Sequence, residues 1–492
     1  MPDTYVILFF VVVAAWIATW VVPAGQFQTH SITYDAGGVE KTRTVLTPGT
    51  FKIATNENGD PLRTSVPIFA GGGNVGFFNY AFEGLTAGTK WGSSVGVVAF
   101  ILIVGGAFGI ILRTGVLEDG ILSVIDRMRG REILFIPVIF TLFALGGGVY
   151  GMGEEVIAFA MIIVPMAVAL GYNALTGVMM TYMASQIGFA TSWMNPFSVA
   201  VAQGLAGVPV LSGAGFRFMM WCTFVVCGVA VTMWYASRIK ADPSRSLSAE
   251  ADAYFRQDSQ QHGARRDFTV GHWLVLAAFL CGILWIIWGV TFQGYYIPEI
   301  ASQFFTMGIV IGVVGAIWKL NGMGVNDIAA AFKKGVSELA PAAMVVGMAK
   351  GIMMILGSDD PAMPSVLNTL LESAGGLLSG MHSAMAAWVM LVFQAIFNFF
   401  IVSGSGQAAL TMPLMAPLGD LAGVHRQVTV LAFQLGDGLT NIVVPTSASL
   451  MGVLGVARID WTTWLRHLWK IALGIFALAS AWVLIAVAIG LT

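Results

Sequence analysis

Charge is what this sequence has least of. Only 10% of its 492 residues are Asp, Glu, Lys or Arg and 57% are hydrophobic, where soluble domains carry roughly one quarter charged residues. With a mean hydropathy of +0.81, the chain is expected to be an all-α polytopic membrane protein. The formal net charge of −2 and the lack of any long basic run exclude nucleic acid as a partner. Cysteine is nearly absent: Cys222, Cys227 and Cys281 all lie in apolar stretches and read as packing residues, not as a disulfide or metal framework. The six histidines show no metal spacing, and no Walker loop is present to couple ATP. "GSSVG" (92–96) matches the serine-hydrolase pattern, but it opens an apolar run instead of joining strand to helix. Neither an enzyme nor a bound cofactor is expected.

What is there is a series of apolar runs long enough to cross a bilayer core. They fall near 4–22, 93–112, 174–206, 215–237, 272–292, 299–318, 336–357, 427–456 and 470–490, about nine spans. The first lacks a basic leader and is read as a retained helix, not a signal peptide. Two further runs, 133–172 and 383–419, are long enough to enter and return, and each has a glycine-rich centre, "GGGVYGMG" (146–153) and "SGSG" (403–406). They are expected to be re-entrant hairpins or pairs of short spans. With the amino terminus placed in the cytoplasm, sixteen of the 24 Lys and Arg fall on inner segments, seven fall outside, and Lys350 lies within a span, as the positive-inside rule requires. The polar stretch 240–267, within a linker at 238–270, is expected to be a cytoplasmic joint. Residues 24–91 are expected to be an outer loop with an interfacial helix near "NVGFFNYAFEGL".

The two halves resemble each other. "VGGAFGIILRTGVLEDGILSVI" (104–125) aligns with "VGMAKGIMMILGSDDPAMPSVL" (346–367), "GMGEE" (151–155) with "GSGQA" (404–408), and "QIGFATSWMNP" (186–196) with "QLGDGLTNIVVP" (434–445). On the topology above, one copy starts outside and the other inside, so these are inverted-topology repeats of the kind alternating-access carriers use. The expected segments are 1–91, a first repeat at 92–207, connecting spans at 208–318, a second repeat at 325–457, and a last interfacial segment and span at 458–492.

Between Glu132 and Arg217 the only charged residues are Glu154 and Glu155. An acid at the bilayer centre costs roughly 2.5–3.5 kcal/mol even on the lenient insertion scale, so such acids are functional by default. A glycine-rich break followed by a helix start leaves backbone groups that lipid cannot satisfy, which predicts a polar cavity beside both breaks. Successive helical residues diverge by about 100°, so one of the two acids can face that cavity while the other takes a structural partner. "TSWMNP" (191–196) and "LTNIVVPTS" (439–447) set hydroxyls and an amide beside a proline inside a long apolar span. Such discontinuous helices supply carbonyls for a cation and side chains for a substrate, with Thr191 and Thr440 as ion-coupling candidates. The competing account is an ordinary proline kink with Thr and Ser back-bonding. Asp437 is the only charge between Arg426 and Arg458: it can help hold a coupling Na+ or H+, or pair with Lys350. Lys350 can equally anchor a substrate carboxylate or snorkel. Gly105xxxGly109 and Gly347xxxGly351 are expected to be close helix-packing faces.

The block 402–465, "GMGEEVIAF" (151–159) and the opening residues 4–27 resemble the YfcC-like branch of the four-carbon-dicarboxylate uptake carrier C (DcuC) family, within the ion transporter superfamily. The resemblance runs over nearly the whole chain. It implies a bacterial inner-membrane secondary carrier, a homodimer with a scaffold part and a mobile part holding two opposed hairpins, moving as an elevator. Substrates in such a family are dicarboxylates, amino acids or related carboxylates, coupled to sodium or protons. The motif match carries substrate contacts onto Glu154, Ser192, Asn195, Ser403, Gly404, Ser405, Gln407, Asn441 and Thr446, and onto Thr440. Three acids and at most one lysine suit a zwitterionic or cationic amino acid better than a dianion, unless cations bind with the dianion. A basic amino-acid exchanger of the arginine/ornithine kind is therefore the alternative substrate reading. A channel is the alternative class, and it gains nothing from paired hairpins in inverted repeats.

Overall fold

The computed structural model describes residues 4–35, 40–90, 94–116, 132–195, 198–209, 211–261, 269–295, 297–357, 362–378 and 380–492. Pro196 of the first break, Gly92 and Ser93 of the "GSSVG" match, Arg127, Arg129 and Arg131, the tails of the first repeat landmark and part of the linker lie outside these residues.

The described chain is overwhelmingly helical. In order come α1 (Thr4–Val21), strands β1 (Gly25–Gln26), β2 (Thr29–Asp35), β3 (Glu40–Leu46) and β4 (Lys52–Ile53), then α2 (Tyr80–Thr86), α3 (Ser94–Arg113), α4 (Phe135–Tyr150) and α5 (Val156–Ala169). A broken helix follows, made of α6 (Ala174–Val178), a π-helical turn (Met179–Met183), α7 (Ala184–Ala190) and, after a gap, α8 (Val199–Ala206). Then come α9 (Ala214–Ala241), α10 (Ala249–Gln261), α11 (Val270–Gln293), α12 (Ile297–Ile317), α13 (Val325–Leu356) and α14 (Val366–Leu377). The chain ends with α15 (Ser383–Phe397), α16 (Gly404–Leu421), a second broken helix α17 (Arg426–Thr440) and α18 (Ala448–Val456), and α19 (Trp461–Ala488).

Among the described residues, six helices are long and apolar enough to cross a membrane: Ser94–Arg113, Glu132–Val149, Ala214–Ala241, Ile297–Ile317, Val325–Leu356 and Trp461–Ala488. The runs 174–206 and 427–456 are each interrupted by non-helical turns. Both glycine-rich runs do turn back, as α4 and α5 and as α15 and α16. α13 begins eleven residues before the apolar run that announces it, because its first turns carry Asp327, Lys333 and Lys334 beyond the apolar stretch.

Glycine sets how closely the helices approach. On α3, Gly105 faces the Gly335 carbonyl and Leu339, and Gly109 faces the Ala331 carbonyl and Gly335, so α3 and α13 run antiparallel in near backbone contact. Gly347 and Gly351 farther along α13 take Leu85 and Tyr80 of α2 in the same way. Both glycine pairs are packing faces, as their spacing predicts.

Two expectations need correction. The outer segment is not a plain loop: β1 pairs with β4 and β2 with β3, both antiparallel. Thr, Ile and Val in "THSITYD" and "EKTRTVL" suit a pleated strand, and the Gly37–Gly38 pair between them is a hairpin signal. The linker is not featureless either. α10 buries Ala251 and Phe255, four residues apart on one face, and its Asp252 accepts the Ala174 N–H at 2.8 Å, which caps α6.

A methyl on Gly335 would lie 2.1 Å from the Gly105 carbonyl oxygen, whereas one on Gly474 of α19 meets nothing within 4 Å. Gly335→Ala should therefore destabilise by about 1–3 kcal/mol through overpacking. Gly474→Ala should be neutral or slightly stabilising. Thermal unfolding of the two purified variants checks the pair.

Candidate functional site

The site lies where the two hairpins meet the two helix breaks, and each break is held by the other half of the chain. In the first break, the Ser192 carbonyl accepts from Gln434 Nε2 of α17 at 2.6 Å. In the second, the Asn441 carbonyl accepts from the Tyr182 hydroxyl at 2.8 Å, and Asn441 Nδ2 donates to Gln186 Oε1 of α7 at 3.2 Å. The next two carbonyls, Ile442 and Val443, accept the indole N–H groups of Trp464 and Trp461, each at 2.8 Å. Tyr182 can reach because it sits in the π-helical turn, a local widening that re-aims side chains and recurs at functional sites.

Each hairpin is tied to the break of its own half. Ser192 Oγ donates to the Gly148 carbonyl and accepts the backbone N–H groups of Met194 and Asn195, while Ser185 Oγ donates to the Met152 carbonyl. In the second half, Thr446 Oγ1 donates to the Phe399 carbonyl at 2.9 Å. Thr191 and Thr440 both donate back to the carbonyl four residues earlier, so back-bonding accompanies the breaks. The break carbonyls at 192, 441, 442 and 443, expected to serve a cation, are each engaged first by a protein donor.

The acids part company. Glu155 folds back so that its Oε2 accepts the Gly153 N–H at 2.9 Å, closing the tip of the first hairpin. Glu154, half-buried, is close enough to Tyr182 to act on it electrostatically. Beside Tyr182, the Ser447 hydroxyl lies 2.9 Å from the tyrosine hydroxyl.

Asp437 is fully buried, and neither of its carboxylate oxygens has a hydrogen-bond partner. It lies against the start of α16: a methyl on Gly404 would be 3.3 Å from its Oδ2, 3.0 Å from the Phe189 ring and 3.4 Å from Ser198 Cβ. Ser403 caps this helix by accepting the Gly406 N–H, and Gly404 and Ser405 form its first turn. Gln407 is buried one turn on, its amide nitrogen donating to Gln394 and its Oε1 left without a partner. The Ser198 hydroxyl is likewise buried and unpartnered. Below the acid, Asn398 Nδ2 donates to the Asp437 and Thr440 backbone–side-chain oxygens and to Asn441 Oδ1. The acid therefore lacks a compensating group, as do the Ser198 hydroxyl and Gln407 Oε1 near it. A pair with Lys350, one of the readings left open for the two charges, is not formed: neither Asp437 carboxylate oxygen has a partner. Lys350 belongs to α13, which packs on α1, α2, α3 and α18, whereas α17 packs on α7, α8, α15, α16 and α19.

Residue patterns missed several of these groups. Gln186 and Gln434 open the aligned landmarks "QIG" and "QLG", so the repeat held their signal. Arg217 gave none: it reads as an outer charge, yet it is fully buried, donating from Nε to Gln434 Oε1 at 3.0 Å and from Nη2 to Gln427 Oε1 at 3.1 Å. It fixes the orientation in which Gln434 turns its nitrogen toward Ser192.

Comparison with known proteins identifies the family. The family profile described as C4-dicarboxylate anaerobic carrier, DcuC, matches residues 1–488. The chain belongs to the DcuC family. DcuC members are membrane carriers, not enzymes. Within the family, the chain is 54% identical over 467 residues, 95% of this chain and 92% of the relative, to the protein of Escherichia coli K12 named "Putative basic amino acid antiporter YfcC". It is 30% identical over 485 residues, 94% and 92% of the two chains, to an uncharacterized protein of Haemophilus influenzae. Among solved structures it aligns with the YdaH transporter of Alcanivorax borkumensis at a TM-score of 0.42 and 15% identity, covering 99% of both chains. It also aligns with MtrF of Neisseria gonorrhoeae at 0.41 and 14%, covering 99% of this chain and 95% of that one.

Tyr182→Phe removes one donor and keeps the ring, whereas Trp464→Phe removes the indole N–H and also puts a smaller ring in a fully buried position. Each should cost about 1–3 kcal/mol, because a break carbonyl is left buried and unpaired. Melting temperatures measured on the two variants should fall together. Wild-type values in both would mean that the breaks hold without these braces.

Proposed function

We propose that this DcuC member is a secondary active carrier of a small cationic or zwitterionic amino acid, working by alternating access and coupled to sodium, protons or a counter-substrate. The observation that carries the reading is Asp437, a fully buried carboxylate with two unpartnered oxygens beside the first turn of α16. A buried anion without a partner is costly, and a cation arriving from the substrate or the coupling ion relieves that cost only while it is bound. Glu154, beside Tyr182 and Ser447, adds a second acid, while the buried cation Arg217 is already engaged by Gln427 and Gln434. A C4-dicarboxylate would need cations to enter with it; an amino group meets these acids directly. The name carried by the Escherichia coli relative points the same way.

In this reading Glu154, Asp437, Asn195, Asn441, Gln407 and the Ser403–Ser405 turn face the substrate or its ion, with Thr191, Thr440, Ser192 and Thr446 holding the breaks around them. The two halves act as inverted repeats, about nine spans with two re-entrant hairpins, the amino terminus in the cytoplasm of a bacterial inner membrane. The antiparallel α3–α13 pair and the exchange of braces between the breaks support that symmetry, and the distribution of Lys and Arg supports the orientation. The hairpins with their broken helices form the moving part of an elevator, within a homodimer.

Thermal stabilisation by a panel of amino acids and dicarboxylates, with and without sodium, tests this on wild type, Asp437→Asn and Glu154→Gln. A true ligand at about a hundred times its dissociation constant adds roughly 2.7 kcal/mol. Basic or neutral amino acids should stabilise the wild type, and Asp437→Asn should abolish the effect. Stabilisation by a dicarboxylate alone, dependent on sodium, would overturn the amino-acid reading and leave Asp437 as the sodium ligand. Saturable counterflow in proteoliposomes separates a carrier from a channel.

A further inference from the structure

A cavity of about 340 Å3 lies away from the helix breaks, between the start of α4 and the last turns of α9. Ile133, Ile136 and Met233 form apolar walls, and Glu132, Lys240 and Tyr172 form a polar end. Lys240 Nζ stands 3.7 Å from Glu132 Oε2 and 5.3 Å from the centre of the Tyr172 ring. The ion pair is loose and partly exposed, with side-chain exposures of 44% for Lys240 and 26% for Glu132, so it contributes little to stability and can open around a guest.

The level of the cavity is set by α9, whose apolar stretch ends here. Trp234, exposed and stacked under the Arg238 guanidinium at 4.0 Å, is followed by Ser237 and Lys240. Tryptophan beside arginine or lysine at the end of an apolar helix marks the headgroup region of a bilayer. On α4, Leu134, Val138 and Leu142 are all more than half exposed, and their four-residue spacing makes one apolar stripe leading away from the cavity's Ile133. The cavity thus joins a cation, an anion and an apolar track at headgroup depth.

We propose that this cavity holds the headgroup of a zwitterionic phospholipid with a primary amine, of the phosphatidylethanolamine class. Its phosphate meets Lys240, its ammonium meets Glu132, and its acyl chains follow the α4 stripe. Both contacts are charge-assisted. An anionic headgroup satisfies Lys240 but is repelled by Glu132. A quaternary choline cannot donate a hydrogen bond to the carboxylate.

The test uses delipidated full-length protein in detergent, with phosphatidylethanolamine, phosphatidylglycerol and phosphatidylcholine of identical chains, read by thermal shift and by retention in native mass spectrometry. Phosphatidylethanolamine should raise the melting temperature by several degrees more than the other two and should be retained at one copy per chain. In Glu132→Gln that preference over phosphatidylglycerol should vanish while lipid binding persists, and in Lys240→Gln the phosphate anchor shared by all three lipids should weaken. Equal stabilisation of the wild type by all three lipids overturns the proposal, as does a preference that survives in both variants. A full shift from glycerophosphoethanolamine, which has no chains, also overturns it, since a soluble ligand would then suffice.

Discussion

Everything near the centre of this molecule follows from one constraint: in hydrocarbon, a broken helix must find partners for its freed carbonyls inside the protein. Two breaks create the problem twice, and the chain solves it by exchange. Gln434 and Tyr182 each reach from one half to a carbonyl in the other half's break, and Trp461 and Trp464 take the next two. The hairpins add the short links, Ser192 to Gly148 and Thr446 to Phe399. Glycines let these partners come near enough: a side chain on Gly188 would run into the Ala144 carbonyl, and one on Gly436 into Gln394 Cβ and the Leu391 carbonyl.

Against that accounting, the groups left without partners stand out. Asp437, the Ser198 hydroxyl and Gln407 Oε1 are buried around or beside the first turn of α16 and present oxygen, not donors fixed by other contacts. Arg217 is the opposite case, a buried cation whose donors go to glutamine and backbone carbonyls. Placed one helical turn from Asp437 along α17 through Gln434, it contributes positive potential to the region without cancelling the acid by contact. A site built this way has the negative charge available and the positive charge occupied, which is the basis for proposing a guest that bears a cation.

Much of this was legible in the sequence, and the parts that were not share a cause. The hairpins at 133–172 and 383–419, the interrupted runs and the special standing of Glu154 and Asp437 follow from apolar length, glycine clusters and the scarcity of charge. Those signals are local. Tyr182, Trp461, Trp464 and Asn398 act through contacts spanning tens to hundreds of residues, and an aromatic or an amide in an apolar helix looks the same whether it braces a break or packs a core. α10 was missed because a short polar helix held by Ala251 and Phe255 has too small an apolar face to stand out in composition. The Lys350–Asp437 pair was a plausible match of opposite charges in a charge-poor chain, but helix layering keeps α13 and α17 apart.

The same bracing bears on how such a molecule can move. Contacts made by glycine against a carbonyl are steep in distance: a shift of even an ångström forfeits much of the dispersion energy and leaves the nearby hydrogen bonds misaligned. Each hairpin is therefore bound to its own broken helix, and the cross-braces bind the two broken helices to one another, so the four elements resist sliding past each other. A carrier that alternated by separating its two halves at the breaks would have to expose the Ser192, Asn441, Ile442 and Val443 carbonyls in every cycle, at about 1–3 kcal/mol for each one left buried and unpaired. Displacing the braced unit as one body keeps all four satisfied and confines the rearrangement to its outer contacts. For the proposed elevator this is the energetic reason to move the site whole.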